Sequence, residues 1–263
     1  MDLGIRGKVA LVAASSKGLG RASAEALAAE GVDLVLCARG EAALREAAGE
    51  IRRASNVRVV DVVADVATAA GIADVLSAAE REFGYVDILV TNAGGPPAGP
   101  FENHAPEAWE TAVRTNLTSV VELVRGVLPG MRERRWGRIV NVTSIAVKQP
   151  VDNLILSNSV RAAVTGFART LANEVAPYGI TVNNVMPGYT RTSRVEELAM
   201  RTASLQGSTP DAAYAVWESQ IPMGRLGDPA EFGAMVCFLC SAHASYTTGA
   251  SIPVDGGWIR SLL

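Results

Sequence analysis

Chemistry is first suggested at Ala13-Ala14-Ser15-Ser16-Lys17-Gly18-Leu19-Gly20, a turn of small residues between a short apolar run and an Ala/Leu/Glu-rich stretch. Gly18 and Gly20 would let backbone N–H groups close on a pyrophosphate at a helix N-terminus, where the helix dipole favours negative charge. Ser23 takes the place of the third glycine in the common GxGxxG spacing, so a plain strand-to-helix turn is the competing reading. The next apolar run ends Leu36-Cys37-Ala38-Arg39, with no acid to accept from a ribose 2′-hydroxyl. Arg39 can instead fork onto a 2′-phosphate, and Lys17 adds a second positive charge. The pair predicts NADP(H) over NAD.

Other reactive residue types point to structure. Cys37, Cys237 and Cys240 form no even set, and neither His104 nor His243 lies at a metal-ligand spacing from them, so no disulfide framework and no metal are expected. Cys237-Phe238-Leu239-Cys240 has the CxxC spacing. It lies in an apolar run where i and i+3 share a helix face, and it reads as core rather than a redox pair.

The elements that must position the glycine turn follow from apolar periodicity. Short apolar runs at Val9 to Ala13, Val32 to Cys37, Val57 to Val62, Ile88 to Thr91, Gly137 to Val142, Ile180 to Val185 and Ser251 to Val254 read as seven strands. Between them, Arg21 to Glu30, Glu41 to Arg53, Thr68 to Phe83, Pro106 to Met131 and Ser157 to Ala176 read as helices. Nearly continuous apolar strands require a sheet covered on both faces, hence parallel strands and crossover helices. The reading is a single α/β domain over residues 1–263, doubly wound and Rossmann-type, with helices on both faces of a parallel seven-stranded sheet. The segment from 191 to 223 breaks the alternation just after the sixth strand, at the carboxyl edge where such sheets bind ligands. It is expected to be a lid over a substrate.

Composition narrows the function classes. The chain has 263 residues, 49% apolar and 19% charged, with net charge −3. Nucleic acid and anionic membranes are poor partners for so balanced a charge, and no apolar stretch reaches the ~18 residues of a spanning helix. A cytoplasmic protein acting on a small molecule is expected.

Further markers stand at ordered intervals: Asp65-Val66 after the third strand, Asn92-Ala93-Gly94 after the fourth, Asn116 within the long helix, Ser144 after the fifth, Pro187-Gly188 after the sixth, and Asp255-Gly256-Gly257 near the end. With the glycine turn, they give a chain that resembles the short-chain dehydrogenase/reductase family over essentially its whole length, and especially its 3-oxoacyl-[acyl-carrier-protein] reductase-like branch. The resemblance implies that Ser15, Ser16, Lys17, Gly18, Leu19 and Gly20 cradle the coenzyme phosphates. It implies that Asp65 and Val66 hold the adenine, that Asn92, Ala93 and Gly94 flank its ribose, and that Pro187, Gly188, Thr190 and Thr192 hold the nicotinamide. Ser144 is then the donor to the substrate carbonyl oxygen, and Asn116 positions a relay water by bulging its helix. Homotetramers or homodimers built on the helices at 106–131 and 157–176 are also implied.

Two departures qualify the resemblance. Ala13-Ala14 stands where the family has Thr-Gly; alanine fits there if its φ is negative. More consequentially, the family places Tyr-x-x-x-Lys thirteen residues after the serine, and here that position reads Ser157-Asn158-Ser159-Val160-Arg161. A serine hydroxyl is a far weaker acid than a phenol and shorter, and arginine keeps the charge but gives up no proton. Tyr189 and Lys148 are the candidates to repair the proton path. The expected activity is NADP-dependent hydride exchange with a carbonyl or alcohol substrate, the 3-oxoacyl type among them, its acid/base step impaired or rerouted because Ser157 and Arg161 occupy the acid/base positions. The alternatives are a non-catalytic NADP-binding sensor or assembly protein and, more remotely, a hydration or elimination enzyme using Ser157. Val195, Leu198, Met200, Leu205, Tyr214, Val216 and Trp217 suggest a greasy ligand under the lid, or inward packing.

Overall fold

Alternate residues of each inner strand are buried on opposite faces, which is why the runs are mostly apolar. In the computed structural model, which describes residues 2–262, β1 (Val9–Ala13) sends Ala10 and Val12 into one core and Leu11 and Ala13 into another. β2 (Asp33–Ala38) divides likewise, Leu34, Leu36 and Ala38 against Val35 and Cys37. The first core is closed by α1 (Gly18–Ala29), α2 (Glu41–Ala54) and α9 (Pro229–Cys240). The second is closed by α3 (Ala69–Phe83), α5 (Ser119–Arg134) and α6 (Ile155–Val175). Each large aliphatic side chain so buried contributes about 1.5–3 kcal/mol.

The remaining strands are β3 (Val59–Val63), β4 (Ile88–Thr91), β5 (Gly137–Val142), β6 (Ile180–Pro187) and β7 (Ser251–Val254), all parallel, in the order β3-β2-β1-β4-β5-β6-β7. The order reverses between β1 and β4, which opens a crevice at their carboxyl ends. β6 runs two residues past the strand expected from sequence because Pro187 pairs with Val254 and the Gly188 N–H donates to the Val254 carbonyl at 3.0 Å.

The stretch expected as one helix from Pro106 to Met131 is interrupted. α4 (Pro106–Val113) passes into a π-helical turn, Arg114–Thr118, before α5 begins. Side chains compete with backbone N–H groups for carbonyls through this stretch: the Thr111 hydroxyl donates to Glu107, Asn116 Nδ2 to Ala112, and the Ser119 hydroxyl to Thr115. Back-bonding of this kind weakens the regular ladder and accommodates the bulge.

The irregular segment at 191–223 is two helices, α7 (Ser193–Gln206) and α8 (Pro210–Gln220). Val195, Ala199, Ala213 and Trp217 turn inward onto Ile145, Met186 and Trp258 in a third, smaller core. Of the apolar residues noted in the sequence, Val195 and Trp217 therefore pack inward, with Leu198 and Tyr214 partly buried beside them, while Met200, Leu205 and Val216 face solvent. Among the described residues no helix is long and apolar enough to cross a membrane.

Candidate active site

The glycine turn sits at the switch point, directly after β1. Its tightness is visible at Gly20: a Cβ there would lie 2.3 Å from the Ala14 carbonyl oxygen, so no other residue fits. Gly18 takes φ +58°, the left-handed region, and Lys17 caps α1 with extended backbone and no side-chain bond, leaving the first-turn N–H groups free for an anion. Ala14 does not meet the condition set from the sequence. Its φ is +49°, a conformation that costs a Cβ-bearing residue about 1–2 kcal/mol, and it is held while Asn92 Nδ2 donates to its carbonyl at 3.5 Å.

Ser15 is fully buried, and its hydroxyl is engaged with the backbone of Cys37 as both donor (3.4 Å) and acceptor (3.1 Å). It stitches the turn to β2, so its side chain is not available to a ligand. Ser16 and Leu19 are half-buried around the turn. Lys17 and Arg39, by contrast, are exposed at the adjacent ends of β1 and β2 and pair with no side chain among the described residues. Two unspent cations beside the uncapped N-terminus of α1, with no carboxylate at the end of β2, fit the phosphates of NADP(H).

Farther along the carboxyl edge, Asp65 turns one carboxylate oxygen onto the Ala67 N–H at 3.0 Å, and Val66 is buried beside it. After β4, Asn92 and Ala93 are half-buried and Gly94 is exposed, its missing Cβ facing open space. After β6, Gly188 is required because a Cβ would lie 2.7 Å from Asp255 Cα. Asp255 holds that contact by accepting from the Gly257 and Ile259 N–H groups at 2.9 and 2.8 Å. The Asp255-Gly256-Gly257 marker is thus a brace for Pro187-Gly188. Thr190 is buried and bridges to Gly227, and Thr192 caps α7 with its methyl group 3.5 Å from where a Gly18 Cβ would stand. Arg194 Nη2 donates to the Pro96 carbonyl at 2.9 Å. The start of α7 therefore lies against both the glycine turn and the loop after β4.

Ser144 follows β5 and opens the short 3₁₀ turn Ile145–Val147, where its Oγ accepts from the Ala146 N–H at 3.1 Å. With a lone pair engaged, the hydroxyl hydrogen remains available to a carbonyl oxygen. Ser157 and Arg161 lie one turn apart on the inner face of α6, both about nine-tenths buried. Arg161 Nη1 donates to the Val142 carbonyl at 2.7 Å, which places the guanidinium at the end of β5, two residues from Ser144. Burial pushes its pKa down to about 10, and Arg194 acts in the same direction. Asn116 lies in the π turn, packed against α6, and its buried Oδ1 has no partner. That atom is an acceptor for a water or a donor the protein does not supply.

Neither repair candidate is placed to take over the proton path. The Tyr189 ring is stacked on Trp217 with centroids 4.6 Å apart and meets Trp258 edge-on at 6.2 Å. Burial, then Asp152, holds its phenol above the usual value. Lys148 is exposed on the loop beyond Ser144.

What the sequence did not disclose is a row of buried polar side chains at the end of the sheet. Thr91 donates to Asn141 Oδ1 at 2.7 Å, Asn141 Nδ2 to Asn184 Oδ1 at 3.0 Å, and Asn184 Nδ2 to Ser251 Oγ at 3.1 Å. The row ties together β4, β5, β6 and β7 just below Asn92, Ser144 and Pro187. Nothing in the sequence singles its members out, because Arg138 shares a run with Asn141, and Thr181 and Asn183 share one with Asn184.

Comparison with known proteins agrees with this architecture. Residues 13–259 match the family model described as enoyl-(acyl carrier protein) reductase. The chain is 36% identical to the 3-oxoacyl-[acyl-carrier-protein] reductase FabG of Vibrio cholerae over 257 residues, covering 97% of this chain and 98% of the relative. It is also 36% identical to the D-beta-hydroxybutyrate dehydrogenase of Cupriavidus necator, covering 97% and 99%. L-sorbose reductase of Gluconobacter frateurii, solved with NADPH and L-sorbose, superposes over the whole of both chains with a TM-score of 0.95 at 37% identity. The chain belongs to the short-chain dehydrogenase/reductase family of oxidoreductases.

Proposed function

We propose that the protein is an NADP(H)-dependent reductase of small carbonyl compounds, with Ser144 as the donor to the reacting oxygen and a proton path that lacks the family's phenol. The chemistry that bound NADP(H) supplies is hydride exchange at a carbonyl or alcohol carbon. The observation that carries the reading is the Ser144 hydroxyl: its oxygen is held by the Ala146 N–H, its hydrogen is unspent, and it stands at the carboxyl edge in line with the glycine turn. Lys17 and Arg39 would grip the 2′-phosphate. Asp65, Val66, Asn92, Ala93 and Gly94 would flank the adenosine, and Pro187, Gly188, Thr190 and Thr192 the nicotinamide.

NADPH in the L-sorbose reductase complex and the oxoacyl and hydroxybutyrate names of the relatives support this coenzyme and a carbonyl or hydroxyl substrate. Asn116 Oδ1, buried and unpaired, would hold a water able to deliver the proton that Ser157 cannot. Arg161 keeps positive charge beside the reacting oxygen. α7 and α8 serve as the lid, their first turn resting on the glycine turn and the Pro96 loop. Self-association through α4, α5 and α6, as a homodimer or homotetramer, belongs to the same reading and is measured by sedimentation.

The test is NADPH oxidation by purified protein over a panel of ketones. Ser144→Ala should lower kcat by about 10²–10³, the value of one oxyanion donor. Ser157→Tyr with Arg161→Lys should raise it by about 10²–10⁴, the usual worth of a general acid. Coenzyme binding without oxidation of NADPH by wild type, and no gain in the double variant, would favour a binding protein without turnover. The missing phenol and the raised Tyr189 are what support that second reading.

A further inference from the structure

We infer that the cleft at the end of β5 takes a substrate carrying a carboxylate, and that the anion pairs with the Arg161 guanidinium through the space Ser157 leaves open. The inference rests on the preceding reading that this cleft is the substrate site, and it specifies the substrate's class.

Among the described residues two guanidinium groups are buried, and they are treated differently. Arg138 is spent on three backbone carbonyls, those of Ser241, Gly137 and Gly179, at 3.2, 2.8 and 3.1 Å, with its plane over the Trp136 ring. Arg161 spends one nitrogen, on Val142. Its other nitrogens have no partner among the described residues and are not sealed from solvent, so they are free to meet a ligand. Among the described residues no carboxylate lies within ion-pair distance of Arg161, and Arg194, another cation, adds to its positive surroundings. The acid closest to Arg194, Glu197, is 3.7 Å away on α7 itself. A buried charge without a counter-ion is among the costliest features a fold can retain. Ribose hydroxyls of a coenzyme are neutral and would leave that charge unpaired, whereas a carboxylate would neutralise it and accept from the fork in the geometry arginine favours. One turn earlier on the same face, the small Ser157 hydroxyl likewise has no partner among the described residues and is not sealed from solvent.

Calorimetry on the full chain saturated with NADP⁺ tests this with two matched pairs of ketones: acetoacetate against 4-hydroxybutan-2-one, and benzoylformate against 2-hydroxyacetophenone. The acid of at least one pair should bind ten-fold or more tighter than its uncharged partner. Arg161→Met should bring the two to parity, and Ser157→Tyr, by filling the space, should weaken the acid. Equal affinity within both pairs, no heat from either acid, or a preference that survives in folded Arg161→Met overturns the inference. If Arg161→Met does not fold, wild type is treated with phenylglyoxal and the Arg161 peptide is followed by mass spectrometry. Acetoacetate should slow its modification at least three-fold and 4-hydroxybutan-2-one should not; equal protection overturns the inference. Titration with NADP⁺ alone separates the two failures. Absent coenzyme binding removes the oxidoreductase reading itself, whereas coenzyme binding without carboxylate preference removes only this specification.

Discussion

Replacing Asn141 by leucine tests whether the polar row holds the strand ends that carry the site. Asn141 is fully buried in β5, accepts from Thr91 at 2.7 Å and donates to Asn184 at 3.0 Å. Leucine nearly preserves the volume, so little cavity opens, but a buried hydroxyl on β4 and a buried amide oxygen on β6 lose their partners. Each such orphan costs about 1–3 kcal/mol, and the added apolar burial returns about 1–2 kcal/mol, so the net loss should be about 1–4 kcal/mol. Urea unfolding at fixed protein concentration reads this as a lower midpoint with unchanged slope. The mechanism makes a second demand. In a Thr91→Val background one of the two orphans is already gone, so Asn141→Leu should cost about 1–3 kcal/mol less than in wild type. A loss below about 1 kcal/mol, or costs that simply add, would refute the view that these side chains act as one hydrogen-bonded row.

Ala14→Gly should stabilise the protein by about 0.5–1 kcal/mol. Relief of the left-handed backbone is worth about 1–2 kcal/mol, part of which the freer unfolded chain takes back. A thermal melt should move up by about 1–4 °C, and a downward shift would contradict the φ of this residue. All three thiols are buried: desolvation pushes Cys37 and Cys237 up to about 12, and Cys240 higher still. Ellman's reagent should therefore report no thiol in the native protein and three after unfolding. Glu231 is held down to about 2 by the Arg225 fork, then by the Asp228 N–H. A folded pKa below the unfolded one gives stability that is present above the ordinary carboxylate range and lost as pH falls toward 2. Glu231→Gln should flatten stability against pH in that window, and an unchanged acid limb would show that the pair contributes nothing there.

The fold was legible wherever one physical rule governed a segment. A strand covered on both faces has no room for polar alternation, and Leu34, Val35, Leu36 and Cys37 obey that rule residue by residue, so strand number, direction and layer order could be read from apolar runs. The helix at 106–131 was legible as apolar and helical but not as interrupted. Its bulge depends on which of several carbonyls the side chains of Thr111, Asn116 and Ser119 reach, and composition does not record that competition. The polar row was illegible for a related reason. Its members stand 43 to 67 positions apart, and they meet only because the β4–β5–β6–β7 register sets Thr91, Asn141, Asn184 and Ser251 side by side.

Around the site, the sequence located groups better than it described their state. The glycine turn, Ser144 and the Ser157/Arg161 pair were all placed by position, yet whether Ala14 is strained, whether Ser144 has a free hydrogen and whether Arg161 has a counter-ion are questions of three-dimensional partners. Those answers change the meaning of the departure from the family's pattern. Read along the chain, Ser157 and Arg161 are a loss, a phenol and an ammonium replaced by poorer catalysts. In space they leave a buried guanidinium at the end of β5 with no ion-pair partner among the described residues, two residues from Ser144. The family keeps a cation at this position too, so the charge alone is no departure; what changes is the small Ser157 one turn before it. On the proposed reading a carboxylate ligand neutralises the arginine beside that small residue, so the two substitutions are better understood together than singly.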